Sequence, residues 1–344
     1  MTERPVAVLG AGNWGTALAV LLARKGVPAH LWGRDAALIE DLRRTHENRR
    51  YLPGIPLDEA ITPTDDLQAA LANAAAVVLA VPCAAMREVS ALLRPRLTHD
   101  QLLVSAAKGL EEATGLRMSE VILQELPDAE PRLTVLSGPN LGAEVANGVA
   151  TTAVVAGGDD RTRRRVQDLF MEHAFRVYTN TDIAGVELGG ALKNVIAIAA
   201  GACDGLGFGA NTRASLMTRG LAEMTRLGVA LGAHAETFIG LSGLGDLIAT
   251  CAGAASRNYR VGFALGRGER LDEVLAKMGQ VAEGVPTTRV VCRLAAARGI
   301  EMPISAEVLA VLDARKSARD GLLSLMARPA RAEVEAAPVV DAAA

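Results

Sequence analysis

Short apolar runs alternate with longer stretches of helical period through the first half of the chain. PVAVLG, AHLWG, AVVLAV, LLVSAA, LTVLSG and TAVVAG are almost wholly apolar, the pattern of strands buried on both faces. Between them, TALAVLLARKG (16–26) and AALIEDLRRTHE (36–47) repeat apolar residues at helical spacing. Strand and helix in alternation predict a doubly wound α/β domain around a mostly parallel sheet. After FRVYTN (175–180) the alternation stops, and from about residue 185 only helical periodicity remains, broken by glycine clusters. The predicted organisation is an α/β domain over 1–185, an all-helical domain over 186–328 and a low-complexity tail, PARAEVEAAPVVDAAA, over 329–344.

Composition narrows this picture without redrawing it. The 344 residues suffice for two domains with substantial cores. Half of them are hydrophobic but only 3% are aromatic, so alanine, valine and leucine do the packing. A net charge of −3 gives no reason to expect nucleic acid or an anionic membrane as partner, and the basic run RRTHENRR (43–50) reads as a solvated helix end. Cys83, Cys203, Cys251 and Cys292 are far apart and form no CxxC pair. That pattern predicts reduced thiols in a cytoplasmic protein, with neither a disulfide frame nor a metal site. The longest apolar run of the first half, AAAVVLAVPCAAM (74–86), is too short to span a bilayer and is broken by Pro82, so no membrane segment is expected.

VAVLGAGNWGTALAVLLARKG carries Gly10, Gly12 and Gly15 in G-x-G-x-x-G order, between a strand and a helix, with a second strand following. In that context Gly10 turns the chain, Gly12 admits a pyrophosphate and Gly15 lets helix pack on strand. The helix start then offers free backbone N–H groups to the phosphates, with Asn13 and Trp14 at the mouth of the loop. A Rossmann-type dinucleotide site is expected. The second strand ends in WGRD: Arg34 would favour a 2′-phosphate and hence NADP(H), whereas Asp35 keeps NAD(H) open. Asp35 suits equally the N-cap of the next helix.

LGGALKNVIAIAAG (188–201) raises a different question, because so apolar a helix should be buried and yet carries Lys193. Its helical neighbours, Gly189, Gly190, Ile196 and Ala197, include no acid to neutralise the ammonium. Either Lys193 snorkels to water, or something approaches it closely across the flanking small residues and makes use of the charge.

Several longer motifs are more distinctive: ELGGALKNVIAIAAG (187–201), DGLGFGANTRASLMTRGLAEM (204–224), GLSGLGDLIATC (240–251), SRNYRVGFALGRG (256–268) and VAEGVPTT (281–288). With GAGNWGTALA (10–19), AKGLE (107–111) and SGPN (137–140), they resemble the bacterial NAD(P)-dependent glycerol-3-phosphate dehydrogenase family, in unbroken order from about residue 6 to residue 315. The resemblance implies reduction of dihydroxyacetone phosphate to sn-glycerol 3-phosphate, a phospholipid precursor, with NADP(H) or NAD(H) and no metal.

It also implies roles. Lys193 matches the family's catalytic lysine, and Asp246, in GLGDL, its carboxylate partner from another helix, against the alternative that Asp246 is only an N-cap. Lys108 matches a lysine touching both substrate and cofactor, and Gly138 and Asn140 match further substrate contacts. Ser256, Arg257 and Asn258 match the phosphate-end cluster, Arg257 touching cofactor as well, although SRN alone would be an ordinary helix cap. Gly142, Val281 and Glu283 match cofactor contacts. The chain departs from the family's pattern at Asn140 (serine or threonine expected), Gly142 (alanine), Ala143 (lysine or arginine) and Ala210 (aspartate).

Two rival readings accompany this one. A β-hydroxy-acid dehydrogenase would share the architecture and a helix-borne lysine, but SRN and GLGD suit a phosphate ester. A non-catalytic NADP(H) sensor would need the glycine loop but not Lys193, Asp246 and Arg257 together. A homodimer is the candidate assembly.

Overall fold

The structure, a computed structural model, describes residues 4–330, 332 and 333. Most of the low-complexity tail expected from 329 onward lies outside the described residues. The chain begins in strict alternation: β1 (Val6–Leu9), α1 (Asn13–Arg24), β2 (Ala29–Trp32), α2 (Ala36–Thr45), β3 (Ile61–Thr64) and α3 (Leu67–Leu71). It continues with β4 (Ala76–Leu79), α4 (Met86–Leu93), β5 (Leu102–Ser105), α5 (Met118–Glu125) and β6 (Leu133–Ser137). Then α6 (Gly142–Ala146), β7 (Thr151–Ala156), α7 (Asp160–Phe170) and β8 (Phe175–Asn180) complete the sheet.

The eight strands lie in the order β3-β2-β1-β4-β5-β6-β7-β8. Every neighbouring pair is parallel except β6 and β7, where Leu136 opposes Val155. All six strands expected from apolar runs are present. Val6, Val8, Leu31 and Val104 pack on one face with Leu18 and Leu22 of α1; Leu9, Val77, Leu79 and Leu103 pack on the other with Met86 and Val121. Burial on both faces is why these strands alternate with nothing polar. β3 escaped the pattern because half of ITPT is polar and it contains Pro63, which an edge strand tolerates. The strand order reverses direction between β1 and β4, and that switch point is where an open sheet of this kind forms its ligand crevice.

After Asn180 the described chain is helical. α8 (Ile183–Gly205) is surrounded by α9 (Ala210–Ala230), α10 (Ala235–Phe238), α11 (Asp246–Cys251), α12 (Arg257–Gly266), α14 (Gly284–Ala296), α15 (Pro303–Leu312) and α16 (Ala318–Met326), with α13 (Leu271–Met278) packed on α12. By length and apolarity α8 could cross a bilayer, but 83% of that stretch is buried among its neighbours. Its small residues let α12 come to backbone contact: a Cβ on Gly201 would lie 2.0 Å from the Tyr259 carbonyl oxygen, and one on Gly262 1.8 Å from that of Ile198. Close packing of α12 on α8 fixes one against the other, and each carries part of the site.

Candidate active site

The carboxyl ends of β1 and β4 open into a cavity of about 680 Å³, closed on its other side by α8, α11, α12 and the segment before α14. Gly10 has φ +122, where only glycine rests without strain, and a Cβ there would stand 2.6 Å from the Ala80 carbonyl oxygen. A Cβ on Gly15 would stand 1.9 Å from the Gly10 carbonyl oxygen, so the loop folds onto its own helix. Gly12 instead faces open space and caps α1 with no side-chain bond to the first N–H groups. A turn, a tight packing contact and an open cradle with free donors are what a pyrophosphate needs, so the residues present fit a dinucleotide.

Asn13 donates from Nδ2 to the Tyr51 carbonyl (2.8 Å), and its Oδ1 lies where a Cβ on Gly142 would be, at 2.0 Å. The glycine at 142 thus makes room for Asn13, an interlock that the bare departure from alanine did not reveal. Trp14 packs with Ala17, Leu52, Ile55 and Ala146. At the end of β2, Arg34 pairs with Glu88 (2.7 Å) and Asp35 accepts from Leu38 N (3.1 Å), the N-cap that the sequence offered as its alternative role. Val281 is half-exposed at the cavity wall, and Glu283 accepts from Cys83 N (3.0 Å), joining the helical part to the loop after β4. Burial pushes the Glu283 carboxyl up from its usual range.

Lys193 does not snorkel. Its Nζ lies 3.0 Å from Asp246 Oδ1 and donates to Thr250 Oγ1 (2.6 Å), all three residues being buried. The other Asp246 oxygen holds Lys108 Nζ at 2.8 Å, and Lys108 also donates to the Gly138 carbonyl (2.8 Å). Asp246 begins α11 but makes no capping bond; its carboxylate is shared between the two ammoniums. Burial, only partly offset by Asp246 and aggravated by the like charge of Lys108, brings Lys193 down to about 8. For Asp246 burial favours the neutral acid, but the two lysines prevail and hold it below the usual carboxylate range. The room beside Lys193 is filled by the protein itself: Gly189 abuts the Ser242–Gly243 backbone, and Gly190 abuts Ser137 and the Lys108 stem.

Ser256 caps α12, accepting from Tyr259 N (3.2 Å), which leaves its own hydroxyl proton free to donate. Asn258 donates to Asn194 Oδ1 (2.8 Å) and accepts from Gly284 N (2.9 Å), so most of its amide is spent tying α12 to α8 and α14. Arg257 is different. Its guanidinium lines the cavity, is depressed by burial, and makes no hydrogen bond or ion pair among the described residues. Asn140 donates to the Thr152 carbonyl (2.9 Å) and leaves its buried Oδ1 without a donor at the cavity wall. Ala143 and Ala210 are exposed and lie outside the cavity lining.

One cavity therefore gathers every residue given a catalytic, substrate or cofactor role in the sequence except Gly15, which lies behind the loop, and Gly138, which contributes its carbonyl to Lys108. Thr250 and Asn194 were missed. Thr250 stands four residues after Asp246 on the same helix face, and Asn194 reaches the Lys108 carbonyl at 3.4 Å. The i, i+4 spacing and the Lys-Asn pair were the available signals.

The sequence models of the NAD-dependent glycerol-3-phosphate dehydrogenase N-terminus and C-terminus match residues 5–163 and 182–322. The chain belongs to the NAD-dependent glycerol-3-phosphate dehydrogenase family. Membership makes it an NAD(P)-dependent oxidoreductase. Among relatives, a protein of Moorella thermoacetica named glycerol-3-phosphate dehydrogenase (NAD(P)+) is 54% identical over 333 residues, 97% of this chain and 98% of that one. One of Geobacter sulfurreducens with the same name is 50% identical over 97% of this chain and 99% of its own. The crystal structure of glycerol-3-phosphate dehydrogenase from Coxiella burnetii superposes with a TM-score of 0.91 at 38% identity, covering 95% of this chain and 99% of that one. A D-mandelate dehydrogenase, at 10% identity and TM-score 0.61, shares the fold alone.

Proposed function

We propose that this member of the family reduces dihydroxyacetone phosphate to sn-glycerol 3-phosphate, with Lys193 exchanging the proton and Arg257 holding the phosphate. The observation that carries the assignment is Arg257: a partly buried cation on the wall of the Lys193 cavity that makes no hydrogen bond or ion pair among the described residues and has only the longer-range attraction of Glu283. A partly buried guanidinium whose N–H groups find no acceptor is costly, and a bound phosphate removes that cost with bidentate, charge-assisted hydrogen bonds. Ser256 adds a hydroxyl donor and Asn258 its remaining amide N–H. Lys108, Lys193 and Arg257 set three cations against the carboxylates of Asp246 and Glu283, an excess that suits an anionic phosphate.

When bound, the nicotinamide supplies or takes up the hydride. Lys193, as an ammonium, stabilises the oxygen that becomes negative at the carbonyl and gives it a proton; in the reverse direction the free amine accepts that proton from the hydroxyl. Its position near 8 keeps both forms accessible around neutral pH. Asp246 and Thr250 hold Nζ in place, and Lys108 fixes the other Asp246 oxygen so that the carboxylate cannot turn away. Gly10, Gly12, Asn13, Trp14, Gly142, Val281 and Glu283 hold the dinucleotide, with Arg34 at the adenosine ribose. The reading carries with it a cytoplasmic setting, supported by four unpaired thiols, and a homodimer, which sedimentation measures directly.

The test compares dihydroxyacetone phosphate with unphosphorylated dihydroxyacetone. Arg257→Ala should raise KM for the phosphate ester by about 100-fold, as expected for losing charge-assisted hydrogen bonds of about 1.5–3 kcal/mol each, and leave the slow rate on the bare ketone nearly unchanged. Equal damage to both substrates would assign Arg257 to the scaffold.

A further inference from the structure

The far end of the cavity, beyond β2, holds two arginine–acid pairs whose arrangement bears on coenzyme choice. Arg34 Nη1 lies 2.7 Å from Glu88 Oε2, and Arg50 Nη1 lies 3.0 Å from Asp35 Oδ2. The Arg50 guanidinium also sits over the Tyr51 ring, 5.1 Å from its centroid. Arg34, Asp35 and Tyr51 all wall the cavity; Arg50 does not line it, but its guanidinium touches two residues that do, Asp35 and Tyr51.

The two carboxylates are held differently. Asp35 is anchored, because its Oδ1 caps α2 through Leu38 N, and only Oδ2 faces Arg50. Glu88 is on the exposed face of α4 and more than half solvent-accessible. Left bare beside the ribose, the fixed Asp35 carboxylate would accept from a 2′-hydroxyl and repel a 2′-phosphate. Arg50 cancels that repulsion. Both ion pairs are exposed and so contribute little by themselves, which makes their arginines cheap to redirect toward a stronger anion. A phosphate dianion is such an anion, and it accepts forked hydrogen bonds from two guanidinia at once.

We propose that Arg50 is a second determinant of coenzyme choice: it masks Asp35 and joins Arg34 at the 2′-phosphate of NADPH, while release of Asp35 from Arg50 serves the 2′-hydroxyl of NADH. The proposal rests on the reading that Arg34 faces the adenosine ribose. It explains how one site takes both coenzymes, since the same carboxylate is hidden for one and used for the other.

The test is calorimetric titration of the full chain with adenosine 2′,5′-bisphosphate and with adenosine 5′-monophosphate, two probes that differ only in the 2′-phosphate. Arg50→Gln should weaken the bisphosphate by about tenfold or more and the monophosphate by less than about twofold, as expected for one charge-assisted contact. Arg50→Lys should recover part of the loss, because the charge remains without the fork. In the Arg50→Gln background, Asp35→Asn should restore some bisphosphate affinity by removing the exposed repulsion while keeping the helix cap. Added salt should erode the bisphosphate advantage of the wild type more than that of Arg50→Gln. If Arg34→Ala abolishes the preference for the bisphosphate but Arg50→Gln leaves it intact, Arg50 has no such role and the Arg34 reading survives. If neither substitution changes the preference, both readings fall.

Discussion

Replacing Asp246 by asparagine removes the carboxylate that Lys193 and Lys108 share, at 3.0 and 2.8 Å, and leaves two ammoniums facing each other. At these separations the Coulomb attraction of an ion pair is about 5–6 kcal/mol at an effective dielectric of 20, and breaking a buried pair costs about 3–5 kcal/mol net. The protein can escape part of that cost by releasing a proton from Lys193. Asp246 is the largest influence raising the Lys193 pKa, against burial and Lys108, so its loss must drive Lys193 further below about 8. An opposite charge at this range moves a buried group by about 1–3 pH units, and the fall should be of that size. The assay is kcat/KM for ketone reduction across roughly pH 6 to 10, with alcohol oxidation measured in parallel. In the wild type, reduction needs the ammonium and should decline as pH rises through about 8, while oxidation needs the amine and should rise there. In Asp246→Asn both limbs should move to lower pH by at least about one unit, with reduction the more impaired at neutral pH. Limbs that stay in place while activity falls would refute the electrostatic role and leave Asp246 as a steric support.

Two further substitutions probe the framework around that pair. Thr250→Val keeps the side-chain shape but removes the hydroxyl 2.6 Å from Lys193 Nζ, and should lower kcat by about tenfold with little change in KM; an unchanged kcat would show that Asp246 alone positions the lysine. Gly15→Ala forces a Cβ to within 1.9 Å of the Gly10 carbonyl oxygen, and should cost about 1–3 kcal/mol of stability together with much of the coenzyme affinity. Melting and coenzyme titration read both, and a mutant that binds and melts normally would disprove the tight packing of the loop.

Much of this architecture was legible in the chain because its sheet is buried on both faces, so apolar runs announce the strands directly. What alternation cannot encode is direction: nothing in TAVVAG distinguishes the antiparallel β7 from its parallel neighbours. The edge strand β3 went unread for a different reason: half of ITPT is polar and it carries Pro63, so no apolar run marks it. At the site, Lys193 stood out because an unpaired charge on an apolar helix demands a partner from elsewhere. That partner sits 53 positions later on another helix, beyond the reach of any local rule, and only the resemblance named Asp246. Thr250 and Asn194 carry no such anomaly, since a threonine and an asparagine on helices are unremarkable until the fold turns them toward two lysines. The glycines beside Lys193 misled in an instructive way. They do admit a close approach, but of the protein's own backbone and of Lys108.

The proposed role of Lys193, moving the proton at the substrate oxygen, is tested by the turnover of Lys193→Met measured beside its coenzyme affinity. Methionine fills the same buried channel between α8 and α11 without a charge, so the fold should persist and NADPH binding should stay within about threefold of wild type. Loss of acid–base catalysis and of charge stabilisation should lower kcat for dihydroxyacetone phosphate by about 100-fold or more. A folded, NADPH-binding Lys193→Met that turns over within about threefold of wild type would show that another group moves the proton.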